Sequence, residues 1–166
     1  MNAILERRSI RKYTGEKVSD ALVEDLLQAA MAAPSGGNEQ PWEFIVVRDK
    51  GIREKITEFH PYSQLLPGAD LAIIVCGDVS REKYKGLWVQ DCAAATENIL
   101  ITAQEKGLGA VWLGVYPEKD RMDGLEKLLG LPKGVYPFSI VSVGYPAEHK
   151  EPADRFDKAR IHYDKW

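Results

Sequence analysis

Apolar positions along this chain change period several times, and each change marks an element. Ser19 precedes a stretch in which Leu22, Leu26 and Ala30 fall on one stripe with Val23 and Leu27 beside it. That spacing predicts a helix capped at Ser19 and stopped before Pro34. Met1 to Arg8 predicts a shorter helix ahead of it. "PSGGN" reads as a loop, because proline and paired glycines do not continue a helix. "WEFIVVR" then predicts a buried strand, Lys50 to Glu58 a charged helix, and "LAIIVC" a second strand reached through the loop "HPYSQLLPG". Leu87 to Lys106 is the longest predicted helix, closed by Gly107. Its small-residue middle, "CAAATENIL", suits close approach at the centre of the molecule or at a subunit interface. "AVWLGV" predicts the third strand, Asp120 to Leu129 a helix, and "YPFSIVSVG" the fourth strand. Four or five helices around about four strands indicate a layered α/β or α+β fold.

The tail breaks this order. In "DRFDKARIHYDKW", Phe156, Ile161, Tyr163 and Trp166 alternate without clean period with Arg155, Lys158 and Arg160. A disordered tail would not carry aromatics in this way. Residues 150–166 are therefore expected to form an ordered arm lying on another surface, with a partner subunit the obvious one.

Length and charge narrow the chemistry. With 166 residues the chain is expected to form one domain, 1–166. It carries 22 Lys and Arg against 25 Asp and Glu, a net charge of −3, which argues against nucleic acid as the main partner. The longest apolar run, Leu71 to Cys76, is too short for a bilayer, so no membrane association and a cytoplasmic location are expected. Cys76 and Cys92 lack CxxC spacing and read as small buried hydrophobes in a reducing compartment.

Against that acidic background, "ERRSIRKY" gathers Arg7, Arg8, Arg11 and Lys12 around Ser9. Such a cluster is either a solvated basic face or an anion site, most simply for a phosphate. "GLGAVWLG" is not a dinucleotide turn. Its third glycine is out of register, and its glycines end a helix and open a strand. There is no Walker A sequence and no GxSxG, and His60, His149 and His162 lack ligand spacing, so no metal is expected. Without a self-sufficient catalytic set, an enzyme of this sequence would rely on a cofactor.

"RRSIRKY", "APSGGNEQPWEFIVV", "GLGAVWLGVYP" and "RFDKARIHYDKW", in this order and spanning nearly the whole chain, resemble the nitroreductase-like flavoproteins. The resemblance implies an α+β sandwich with a mainly antiparallel sheet flanked by helices. It also implies a long central helix and a homodimer with FMN at the subunit interface. Arg7, Arg8 and Ser9 match positions that contact the phosphate and ribityl chain. Arg11 matches a cation near the pyrimidine edge, where it would stabilise negative charge at N1 and O2. Arg160 matches a second phosphate ligand, with Lys158 a weaker companion. Pro34, Ser35, Gly36 and Asn38 match a loop supplied by the other subunit, which Gln40 and Trp42 would fix. Trp112, Leu113 and Gly114 match the strand end under the flavin, with a backbone N–H reaching N5.

The larger nitroreductases often carry glutamate where Gly114 sits. They also insert helices that wall the substrate pocket, for which there is little room here. "FHPYSQLL" is the remaining lid candidate, and Tyr62 the candidate substrate contact. The expected activity is ping-pong hydride transfer from NAD(P)H to a nitroaromatic, quinone or similar acceptor. The alternative is an FMN-binding storage or sensor protein.

Overall fold

Four strands pair side by side in the order β1-β2-β4-β3, every pair antiparallel. A computed structural model describes residues 2–166; position 1, the first residue of the predicted opening helix, lies outside the described residues. The strands are β1 (Trp42–Val47), β2 (Leu71–Asp78), β3 (Gly109–Gly114) and β4 (Val135–Gly144). Among the described residues five α-helices accompany them: α1 (Ala3–Glu6), α2 (Asp20–Met31), α3 (Lys50–Ile56), α4 (Trp88–Glu105) and α5 (Lys119–Leu129).

The sheet is covered on both faces, which explains the unbroken apolar run of β2. Along that strand Leu71, Ile73 and Val75 join the α2 and α4 side, while Ala72, Ile74 and Cys76 join the α3 and α5 side. This is the two-residue alternation of a pleated strand buried twice. β1 corrects the sequence reading. It was expected to be buried, but it is an edge strand whose middle residues Glu43 to Val46 are only partly covered or exposed. Its apolar residues reflect one covered face and packing at the rim.

Side chains set the helix ends. The Ser19 hydroxyl accepts from the Leu22 N–H at 3.3 Å, and the Asp49 carboxylate accepts from the Ile52 N–H at 2.8 Å. α4 crosses the sheet with its small residues inward, so Cys92, Ala95 and Ala103 are fully buried. Two side-chain bonds lock it: Thr96 meets the Ser139 hydroxyl at 2.9 Å, and the Asn98 amide donates to the Ala29 carbonyl at 2.9 Å. Both thiols are free and buried, and burial pushes the Cys76 thiol up to about 12.

The segment after α1 adds to the open edge of β3. Ser9 bridges Ala110 in parallel, and the Ile10 N–H donates to the Ala110 carbonyl at 3.0 Å. Gly109 makes room for it, since a Cβ there would stand 2.6 Å from the Ile10 side chain. No helix among the described residues is long and apolar enough to cross a membrane.

Candidate functional site

The basic cluster closes around a cavity of about 210 Å³ lined by Arg7, Arg8, Ser9, Arg11, Lys150 and Arg155. Five of these six side chains are cationic and none is acidic. The acids stand behind the lining. Glu97 on α4 lies 3.4 Å from Arg7 Nε, and Glu148 accepts from the Arg11 N–H at 2.6 Å while pairing with Lys150 at 3.3 Å. The Arg11 N–H, aided by Lys150, holds the Glu148 carboxyl below its usual range. Lys150 also donates to the Ser9 carbonyl at 2.7 Å, which ties the two ends of the chain together. Arg7 Nε is buried and has no hydrogen-bond partner.

The same edge of β3 carries a second feature. Gly114 faces Ser139 on β4, and the adjacent ladder bond runs from the Val115 N–H to the Phe138 carbonyl at 3.2 Å. Gly114 therefore occupies a non-hydrogen-bonded pair, and both its N–H and its C=O point outward from the sheet. Four strand steps separate it from Ala110, where Ser9 docks, or roughly 14 Å. A cationic basin and a free backbone donor thus lie along one edge.

His60 and Arg121 converge on the Gly114 carbonyl, at 2.9 Å and 2.8 Å. A carbonyl can only accept, so His60 Nε2 carries the proton, and the buried Nδ1 is left without a partner. Burial lowers the His60 pKa, and the Arg121 charge works in the same direction against the Gly114 bond. The neutral imidazole therefore contributes stability that is present above about pH 6.5 and lost as pH falls toward the depressed value. The slope is at most about 1.4 kcal/mol per pH unit. Between about pH 7.5 and pH 5.5 the melting temperature should fall in the wild type and much less in His60→Gln. Parallel curves would show that His60 is not the titrating group.

Of the residues expected at the site, Arg7, Arg8, Ser9 and Arg11 come together in the basin, and Gly114 lies further along the same edge. Leu113 is buried, and the half-buried Trp112 packs edge-to-face on Phe138 at 5.6 Å. The loop from Pro34 to Asn38 lies elsewhere, pinned to the start of α4 where Asp91 accepts from the Gly36 N–H at 2.9 Å. A Cβ on Gly36 would stand 2.5 Å from Leu87. Gln40 fixes this loop, donating from its backbone to Ser35 Oγ at 3.0 Å and from its side chain to Asn38 Oδ1 at 2.9 Å, while Trp42 is buried in the core. None of these loop residues lines the basin. Tyr62 projects outward from the turn between the buried His60 and Ser63.

Arg160 and Lys158 are not brought to the basin within one chain. They sit on an arm whose residues 151–166 are all exposed, with Arg160 Nε 3.3 Å from Asp157. Lys150 and Arg155 take that place instead. Sequence reasoning missed these two, together with His60 and Arg121. Of the four, only Arg155 carried a signal, as one of the cations interleaved in the tail. Among the described residues no group of three or more His, Cys, Asp or Glu is placed to hold a metal.

Comparison with known proteins places this architecture. The model of the Nitroreductase family matches residues 4–60 and 60–145. A relative from Archaeoglobus fulgidus, provisionally named an NADH dehydrogenase/NAD(P)H nitroreductase, is 52% identical over 170 residues, covering 100% of this chain and 98% of its own. A solved structure from Clostridium acetobutylicum, provisionally described as an NADH oxidase, superposes with a TM-score of 0.95 at 46% identity, covering 99% of each chain. A provisional nitroreductase from Desulfovibrio desulfuricans, solved in complex with FMN, gives a TM-score of 0.85 at 31% identity, covering 99% of this chain and 95% of that one.

Proposed function

The chain belongs to the nitroreductase family, and on that premise we propose that it is a homodimeric, FMN-dependent NAD(P)H oxidoreductase whose donor and acceptor occupy one open face in turn. The outer edge of β3 carries this reading. The basin presents five cations and no acidic side chain. These groups fit a phosphate dianion, which takes several charge-assisted hydrogen bonds at once. The outward Gly114 N–H, roughly 14 Å along the strand, fits the ring end of a phosphate-bearing ribityl flavin. When bound, FMN supplies two-electron chemistry, taking hydride from NAD(P)H and passing it to an acceptor such as a nitroaromatic or quinone.

The protein's own groups supply binding and orientation. Arg7, Arg8, Ser9 and Lys150 hold the phosphate, with Glu97 and Glu148 steadying the cations from behind. Gly114 offers its N–H to the ring, and His60 and Arg121 fix that residue by gripping its carbonyl. Trp112 and Leu113 seat the strand end. The partner's copy of the loop from Pro34 to Asn38 completes the ring site, and the arm of residues 150–166 lies on the partner, carrying Arg160 and Lys158 toward a phosphate. The exposed aromatics of the arm support that placement. A reducing cytoplasm agrees with the two free thiols.

Turn-taking on one face is read from steady-state rates with both substrates varied. Parallel double-reciprocal lines are expected, and intersecting lines would contradict alternate occupancy.

Arg11 lines the basin two positions past Ser9, and the family resemblance sets it beside the pyrimidine edge of the ring. It should tune the cofactor more than it anchors it. Arg11→Gln should keep most of the FMN while lowering the midpoint potential by a few tens of millivolts, where about 30 mV corresponds to 1.4 kcal/mol for a two-electron couple. A redox titration against the wild type reads this. An unmoved midpoint with lost FMN would assign Arg11 to the phosphate instead.

A further inference from the structure

Arg121 lies in the first turn of α5, half-buried, with its guanidinium at the outer edge of β3. One terminal nitrogen donates to the Gly114 carbonyl at 2.8 Å, and the guanidinium carbon stands 5.4 Å from the centre of the Tyr62 ring. The nearby Lys119 is paired with Asp123 at 2.5 Å, whereas Arg121 forms no ion pair among the described residues. A guanidinium offers five N–H donors in a rigid fork, and the carbonyl occupies one nitrogen. His60 already holds that carbonyl, and the cation–π contact with Tyr62 uses the charge but none of the remaining N–H donors.

Position adds to this. The C=O and N–H of Gly114 point the same way, so the guanidinium borders the space in front of the N–H. No side chain fills the glycine position, where a Cβ would meet nothing within 4 Å. The cation lies over the ring of Tyr62, which is 69% exposed and has His60 edge-on to it at 6.5 Å. A fixed cation next to an exposed ring suits a planar molecule carrying an anionic group.

We propose that Arg121 and Tyr62 form an anion subsite of the substrate pocket, taking the carboxylate or phosphate of the small molecule that lies against Gly114. The proposal rests on the oxidoreductase reading above. Two sources share this chemistry: an acceptor bearing a carboxylate, and the phosphate of the nicotinamide donor. The test uses flavin-loaded enzyme and two matched pairs of probes. One pair is 4-nitrobenzoate against the neutral 4-nitrobenzyl alcohol. The other is reduced nicotinamide mononucleotide against reduced nicotinamide riboside.

Arg121→Gln should lower the anionic-to-neutral ratio of kcat/KM about tenfold in one pair, as expected for a lost charge-assisted contact. Arg121→Lys should restore most of it. A fall confined to the acceptor pair identifies the carboxylate, and a fall confined to the donor pair identifies the phosphate. If the carboxylate is the ligand, the dissociation constant of benzoate, read from the perturbed flavin absorbance, should also rise about tenfold in Arg121→Gln. Ratios unchanged in both pairs, or equal losses for anionic and neutral probes, overturn the subsite and leave Arg121 as a support for Gly114. A wild type that turns over without anion preference sinks only the subsite, whereas a wild type that holds FMN but is never reduced sinks the functional reading.

Discussion

Arg7→Ala should weaken FMN binding by about ten- to a hundredfold, because a charge-assisted hydrogen bond contributes ~1.5–3 kcal/mol. The magnitude follows from how Arg7 is held. Its side chain is mostly buried, and Glu97 at 3.4 Å from Nε holds the guanidinium at the lining of the basin. A pre-positioned cation loses little side-chain freedom on binding, so most of the contact should appear as affinity. Titration of apoprotein with FMN measures it. Arg160→Ala in the same titration asks whether the arm reaches a phosphate, since within one chain Arg160 is exposed beside Asp157. Unchanged affinity in both Arg7→Ala and Arg8→Ala would sink the cradle.

Removing residues 154–166 should have the other large effect, costing both the dimer and the FMN. The arm exposes Phe156 at 72%, Tyr163 at 83% and Trp166 at 100%, more aromatic surface than a monomer normally leaves to water. Ile4 and Leu5 on α1 are also exposed, and with Arg7, Arg155 and Phe156 they line a second cavity. The apolar arm surface thus adjoins the cationic basin through Arg7 and Arg155, so losing a partner should disturb a cofactor held there. Stable interfaces of this kind bury ~2,000–5,000 Å² in total. Sedimentation of the wild type should show a flavin-loaded dimer and the truncated chain a flavin-poor monomer. A flavin-loaded wild-type monomer would refute the arrangement.

Local signals carried most of the fold. Ser19 ahead of an apolar stripe, Pro34 after it, and Gly107 behind the long helix mark helix ends by backbone chemistry that neighbouring residues determine. β1 misled because its apolar run does not say which strands flank it, and strand order is set by distant pairing. The site divides in the same way. Arg7, Arg8, Ser9 and Arg11 are adjacent along the chain, so their shared cavity could be read directly. Lys150 reaches Ser9 across 141 positions, and only the antiparallel return of β4 brings them together. His60 carried no pattern because its partner is a backbone carbonyl, and Arg121 resembled any exposed helix cation until the end of β3 met it.

If this edge of β3 holds a flavin that NAD(P)H reduces and an acceptor reoxidises, an anaerobic half-reaction experiment should show both steps. Flavin-loaded protein mixed with NADH or NADPH should lose its yellow absorbance, and adding a quinone or nitroaromatic should restore it. Protein that binds FMN tightly yet keeps its colour with both nicotinamides would contradict an oxidoreductase and mark the site as flavin storage or sensing.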